Sequence, residues 1–267
     1  MKTDIQRALT SWGFIAATAG TAAALVFGSF DSLLPMMQNA MGGLPAGFHE
    51  QVLFMALQSG VMLFCAPILA ALPYTAAFVH DFKSGILKEY LPRSGVNPYI
   101  RGKVLVSGLS GGLALFCGII LTYIIYALVF TPMEIAPQMP DQAATGAIMM
   151  AGAAQQMQQP SLFPQILAGG FLFFFAGCFW SLVGALFGAL TMRWYLAYAF
   201  PFALYYALVL LCTGYFTGMT ILNPQGWVNP AAEWPGGIWG TALFLGELIV
   251  SVAVLYAIAV KKRLAKI

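Results

Sequence analysis

The sequence predicts an all-α membrane protein of six transmembrane helices with both termini cytoplasmic. Two observations carry that prediction. The first is composition: of 267 residues, 60% are hydrophobic and only 8% are charged, where an average soluble domain is about 25% charged. With a mean hydropathy of +0.82, the chain has too much apolar surface to hide in one water-soluble core. That excludes a soluble enzyme, a disordered chain and a nucleic-acid binder. The second is charge segregation. Once six apolar stretches are drawn as spans, all 12 Lys and Arg residues fall on one side, the asymmetry of the positive-inside rule.

Five spans follow from charge-free stretches, about 12–30, 52–79, 104–130, 162–190 and 196–222, and a sixth, about 238–260, is apolar apart from Glu247; each is long enough for the roughly 20 apolar residues that a crossing needs. Before the first, Ile5, Leu9 and Trp12 share a helical face with Lys2 and Arg7 turned elsewhere, predicting a short helix on the inner membrane surface. The first span has the basic start of a signal peptide but no convincing cleavage site, and it reads as a retained helix. Trp12 and Trp194 mark inner ends, and Trp227, Trp234 and Trp239 mark an outer aromatic belt. The outer loop at about 131–161 is rich in Pro and Gln. In the last outer loop Asn223-Pro224, Asn229-Pro230 and Trp234-Pro235 break the helix, so 219–240 is expected to dip partly back into the membrane. Gly108 with Gly112, Gly184 with Gly188, and Gly214 with Gly218 are expected at close helix contacts. The whole chain, 1–267, reads as one transmembrane domain without internal repeats.

The most informative segment is the inner one at 80–103, which holds a third of all the charged side chains. Ser84 is placed to cap a short helix over 85–91, and Pro92 to end it. On that turn Ile86, Leu87, Tyr90 and Leu91 form an apolar patch beside Lys88 and Glu89, the make-up of a docking element. A loop that only set topology would need neither Glu89 nor a helix between Ser84 and Pro92.

At this point the chain resembles the ABC-2 type permeases, the transmembrane subunits of type V ABC exporters. Their second span runs into a segment of the form F-x-x-[E/D]-x-x-x-G. A short helix, a Pro/Ser/Arg break and a Gly-Lys opening span three come next. Here Phe78, Asp81, Gly85, Pro92-Arg93-Ser94 and Gly102-Lys103 occur in that order, with Asp81 where Glu is common. The six-span layout, the inner starting helix and the broken last outer loop extend the resemblance to nearly the whole chain. It implies a plasma-membrane permease whose segment Asp81, Gly85, Ile86, Leu87, Lys88, Glu89, Tyr90, Leu91 and Arg93 couples to a separate ATPase subunit. ATP and Mg would be held by that partner, and a second permease subunit, identical or different, would complete the path.

The remaining chemistry is sparse. No P-loop is present: Gly102-Lys103 is followed by Val104 and has no glycine five positions earlier. The stretch Leu109-Ser110-Gly111-Gly112-Leu113 mimics an ABC ATPase signature, but inside an apolar span. Glu247 is the one acidic residue in mid-span, costly to bury, and is a candidate for the translocation path or for an inter-helix hydrogen bond to Tyr215 or Thr217. Cys65, Cys117, Cys178 and Cys212 each lie alone in a different apolar run and read as packing residues. The outer methionines (Met36, Met37, Met41, Met133, Met139, Met149, Met150 and Met157) form no compact copper motif, and no metal site is expected. An ion-coupled carrier or channel is the alternative function. An intramembrane enzyme lacks a catalytic constellation, with His49 and His80 on opposite sides. The many aromatics along the spans, among them Phe171, Phe173, Tyr198 and Tyr205, suit an apolar or amphipathic cargo such as a peptide, a lipid-linked molecule or a drug.

Overall fold

The computed structural model describes residues 2–39, 47–130, 161–215, 220–229 and 236–265, and all the regular structure among them is helical. Ten α-helices are numbered in chain order: α1 (Lys2–Leu9), α2 (Trp12–Asn39), α3 (Phe48–Leu57), α4 (Gly60–Ala71), α5 (Ala77–Lys83), α6 (Leu87–Ser94), α7 (Val96–Val129), α8 (Phe163–Thr191), α9 (Trp194–Gly214) and α10 (Gly237–Leu264). The architecture is that of a multi-pass membrane protein. Five helices (α2, α7, α8, α9 and α10) are long and apolar enough to cross a membrane. The pair α3 and α4 makes a sixth crossing only when counted as one span, since it is bent by 67°.

That bend corrects the single helix expected over 52–79. The polar triplet Gln58-Ser59-Gly60 interrupts the apolar run, and Ser59 stops one helix and starts the next by accepting a hydrogen bond from the Met62 amide at 3.3 Å. Neighbouring α2 leaves room for the corner, because a Cβ on Gly28 would stand 2.1 Å from the Ser59 hydroxyl. The bent pair stops at Ala71, and the residues expected to complete the span form a turn and then α5.

The central pair is α7 against α8, and α8 is the most enclosed span, with 72% of its apolar window buried. Close approach explains the pairing. A Cβ on Gly112 would meet Cys178 Sγ at 2.5 Å and the Phe174 carbonyl at 2.6 Å, and Gly177 faces the Gly112 backbone from the other side. Only hydrogen fits there. Gly214 has open space around it instead, so its expected packing role does not hold, and Gly218 lies outside the described residues.

The end of the bundle remote from the chain termini is fastened by Glu50. Its carboxylate accepts from the Leu162 amide at 2.8 Å and from the Ser161 hydroxyl at 3.0 Å, which satisfies one of the free amides opening α8 and complements its helix dipole. Nearby, residues 220–229 form two 3₁₀ turns. Trp227 is buried among Trp180, Phe179 and Phe244, and its indole donates to the Ile221 carbonyl at 2.8 Å. It is therefore a core residue and not part of an exposed belt. Trp239 is exposed, and Trp234 lies outside the described residues. So do the Pro/Gln-rich loop, Thr217 and the methionines at 41, 133, 139, 149, 150 and 157.

Candidate functional site

Every Lys and Arg among the described residues belongs to a segment at one end of the bundle, formed by α1, α5, α6, the start of α7 and the ends of α8 and α10. Arg263 shows how the segments are tied: its guanidinium donates to the Ala189 carbonyl at 3.2 Å and to the Leu190 carbonyl. A cation thereby serves carbonyls at the C-terminal end of α8.

The centre of this end is a buried cluster of charges. Lys103, at the start of α7, is 2% exposed. Its ammonium lies 2.7 Å from Asp81 of α5 and 3.4 Å from Asp4 of α1, and it donates to the Tyr74 hydroxyl at 2.7 Å. A Lys has three donors, and all three directions are taken. The rings of Tyr74 and Tyr99 flank the same ammonium at 4.7 and 5.5 Å from their centroids. Asp81 also accepts from Tyr99 at 3.2 Å and from Arg7 at 3.1 Å. Tyr74 donates onward to Asp4 at 3.0 Å. Among the described residues two carboxylates meet two cations, and the hydroxyls of Tyr74 and Tyr99 each donate to a carboxylate.

Phe78, Asp81 and Gly85 now have separate physical roles. One helical turn apart on α5, Phe78 is buried in the apolar core and Asp81 in the charge cluster. Gly85 carries the chain from α5 to α6 with φ +76°, a left-handed conformation that favours glycine. Gly95, at φ +77°, turns the chain again before α7. Between these two glycines stands α6.

The helix differs in detail from the expected one. Ser84 does not cap it; its hydroxyl bonds back to the Asp81 carbonyl at 3.1 Å, ending α5. The helix then runs over Leu87–Ser94, with Pro92 inside it. Pro92 is the sixth residue of this helix and has no N–H to give to the Lys88 carbonyl, so the helix carries one ladder bond fewer. Leu87 is turned inward, 1% exposed, against the cluster holding Phe78, Tyr99 and Tyr256. Ile86, Lys88, Glu89 and Tyr90 face outward, and Leu91 is half-buried. The outward patch is thus smaller than the one expected, lacking Leu87, and Asp81 belongs to the interior. An open cavity of about 190 Å³ separates α6 from α1, lined by Asp4, Arg7, Asp81, Ile86, Leu87, Tyr90 and Tyr99.

Asp4 and Tyr74 are the members that sequence reasoning missed. The available signal was Asp4 and Arg7 at i,i+3 on the amphipathic α1, with Asp81 and Lys103 bracketing the loop. The exposed face of α1 carries Ile5 and Leu9 as expected, with Trp12 85% exposed beyond it, while Asp4 turns inward.

Electrostatics give the cluster a pH signature. Burial alone would raise the Asp4 carboxyl, but Lys103 and then Tyr74 outweigh it and hold it below the ordinary carboxylate range. Burial and the Asp4 charge push the Tyr74 hydroxyl up, so it stays a donor. Because the folded value of Asp4 is depressed, its contribution is fully present above the ordinary carboxylate range and fades as pH falls through the lowered value. As pH drops below about 4 this contribution begins to weaken, and past the lowered value α1 is expected to be released, read as faster amide hydrogen exchange over residues 2–9. Unchanged protection of residues 2–9 in Asp4→Asn at neutral pH would show that Asp4 does not hold α1.

Glu247 stands far from this cluster. It is exposed on α10, and Tyr215, foreseen as its partner, is 82% exposed at the end of α9. Comparison with protein-family models, with curated proteins and with solved structures finds no match.

Proposed function

We propose that this chain is the membrane-spanning permease subunit of an ATP-driven exporter of the ABC-2 type. In this reading six spans, with the bent pair α3 and α4 as one, form with a second permease subunit the path for an apolar or amphipathic cargo. Both termini and the basic end are cytoplasmic, in the plasma membrane. ATP and Mg are bound and hydrolysed on a separate ATPase subunit docked at that end.

The observation that carries the reading is α6. A short helix held between two left-handed glycines presents Ile86, Lys88, Glu89 and Tyr90 outward while Leu87 anchors it to the core. Behind it lie the cavity and the charge cluster joining α1, α5 and α7. Such a helix offers a partner an apolar contact with a charged rim, and any displacement of it bears on side chains that tie three helices together. A push from a closing ATPase pair would then reach α7, the helix at the centre of the bundle.

The test is reconstitution. The chain, inserted into proteoliposomes with each candidate ABC ATPase of its source organism in turn, is expected to stimulate ATP hydrolysis by one of them and to crosslink to it from Lys88→Cys. Uptake of solute down an ion gradient by the chain alone, with no crosslink and no stimulated hydrolysis, would replace this reading with an ion-coupled carrier.

A further inference from the structure

We propose that the outward face of α10 is an interface with a second copy of this chain, built around Glu247. Along α10 the exposed residues Leu243, Glu247, Val250, Val254 and Ile258 follow one another at spacings of four, three, four and four. That spacing places them on one side of the helix, a stripe along which a second helix could lie. The apolar members would suit lipid equally well. Glu247 does not.

Its depth is the reason. At 1.5 Å per residue, Glu247 lies roughly 12 Å below Trp239 and roughly 21 Å from Lys261. A Glu side chain reaches neither boundary, so it cannot place its carboxyl among headgroups. The Ser251 hydroxyl, one turn on, is committed to the Glu247 backbone carbonyl at 2.8 Å. Among the described residues no side chain donates to the carboxyl, and every described Lys and Arg belongs to the basic end. A polar group left unsatisfied in hydrocarbon is costly, and lipid chains offer no donor.

A second copy does. Copies of a membrane protein insert in one orientation, so a two-fold axis runs along the membrane normal and a residue near it meets its own counterpart at its own depth. A carboxyl group is its own complement, because the hydroxyl of one can donate to the oxygen of the other. The homodimer thus brings the required group to the one level where it is needed. This interface does not rest on the exporter reading, since it involves no ATPase.

Disulfide crosslinking in native membranes tests it, with Cys65, Cys117, Cys178 and Cys212 replaced by Ala. Val250→Cys and Val254→Cys are expected to give a crosslinked dimer of this chain on oxidation. Phe27→Cys, equally exposed but on α2, is expected to give far less. Glu247→Gln keeps a donor and an acceptor and should preserve the dimer. Glu247→Leu should raise the dimer dissociation constant roughly 3- to 30-fold, the span set by interhelical hydrogen bonds in membranes. Crosslinking at 250 and 254 no greater than at 27, crosslinking to a different protein, or undiminished dimerisation of Glu247→Leu would each overturn the proposal. Because none of these readouts depends on ATPase binding or hydrolysis, such a failure leaves the export reading untouched.

Discussion

Replacing Lys103 with methionine is expected to destabilise the bundle by about 3–5 kcal/mol, the typical consequence of removing one partner from a buried ion pair. Methionine matches the Lys stem in length, so little packing is lost. What is lost is the charge facing Asp81 at 2.7 Å and Asp4 at 3.4 Å. Arg7 still reaches Asp81, but its own side chain is 59% exposed, and a solvent-screened cation compensates a buried carboxylate only in part. The stranded charge identifies its own remedy: adding Asp81→Asn should recover most of the lost stability, because an amide keeps hydrogen bonds to Tyr99 without a net charge. Thermal denaturation in detergent of the single and double variants measures both steps. If Lys103→Met alone melts like the parent, the cluster is not holding the helices together by charge.

That cluster also marks where sequence reasoning stops. Apolar runs and the placement of Lys and Arg predict the helices α2, α7, α8, α9 and α10 to within a few residues at most ends, because burial in a bilayer is a property of each segment by itself. The kink at Ser59 needed one more step, namely that a short polar stretch carrying a helix cap breaks an apolar run even when no charge is present. Trp227 read as an interfacial residue because an indole suits a boundary as well as a core; only the neighbours Trp180 and Phe244 decide. Lys103 read as one more topology-setting charge. Its partner Asp4 is 99 positions away in the chain, and no local pattern couples them. The short helix α6 was legible in place but not in the side it turns inward. Grouping Ile86, Leu87, Tyr90 and Leu91 as one outward patch put Leu87 on the outer face, although it belongs to the inner one.

The phase of α6 sharpens the test of ATPase docking under the proposed export role. Ile86 is 51% exposed and Tyr90 is 37% exposed, whereas Leu87 is 1% exposed. Ile86→Asp therefore leaves the apolar core intact, and at the N-cap position of α6 an Asp is compatible with the helix. It is expected to weaken ATPase binding by about 2 kcal/mol, a loss typical of an apolar anchor at an interface centre, while the melting temperature of the permease stays within a few degrees of the parent. Tyr90→Asp should act in the same direction with a small stability cost of its own, because its ring also meets that of Tyr99 at 5.9 Å. Lys88→Ala, a rim charge, should change affinity by less than about 1 kcal/mol and act mainly on the association rate. Leu87→Asp is a different experiment: it places a carboxylate against Phe78 and Tyr256, so it should lower the melting temperature sharply and lose the ATPase only as a consequence. Measuring affinity for the ATPase and the melting temperature on the same four variants separates surface from core. Full ATPase binding and full transport-coupled hydrolysis in both Ile86→Asp and Tyr90→Asp would return α6 to the role of a connector between α5 and α7.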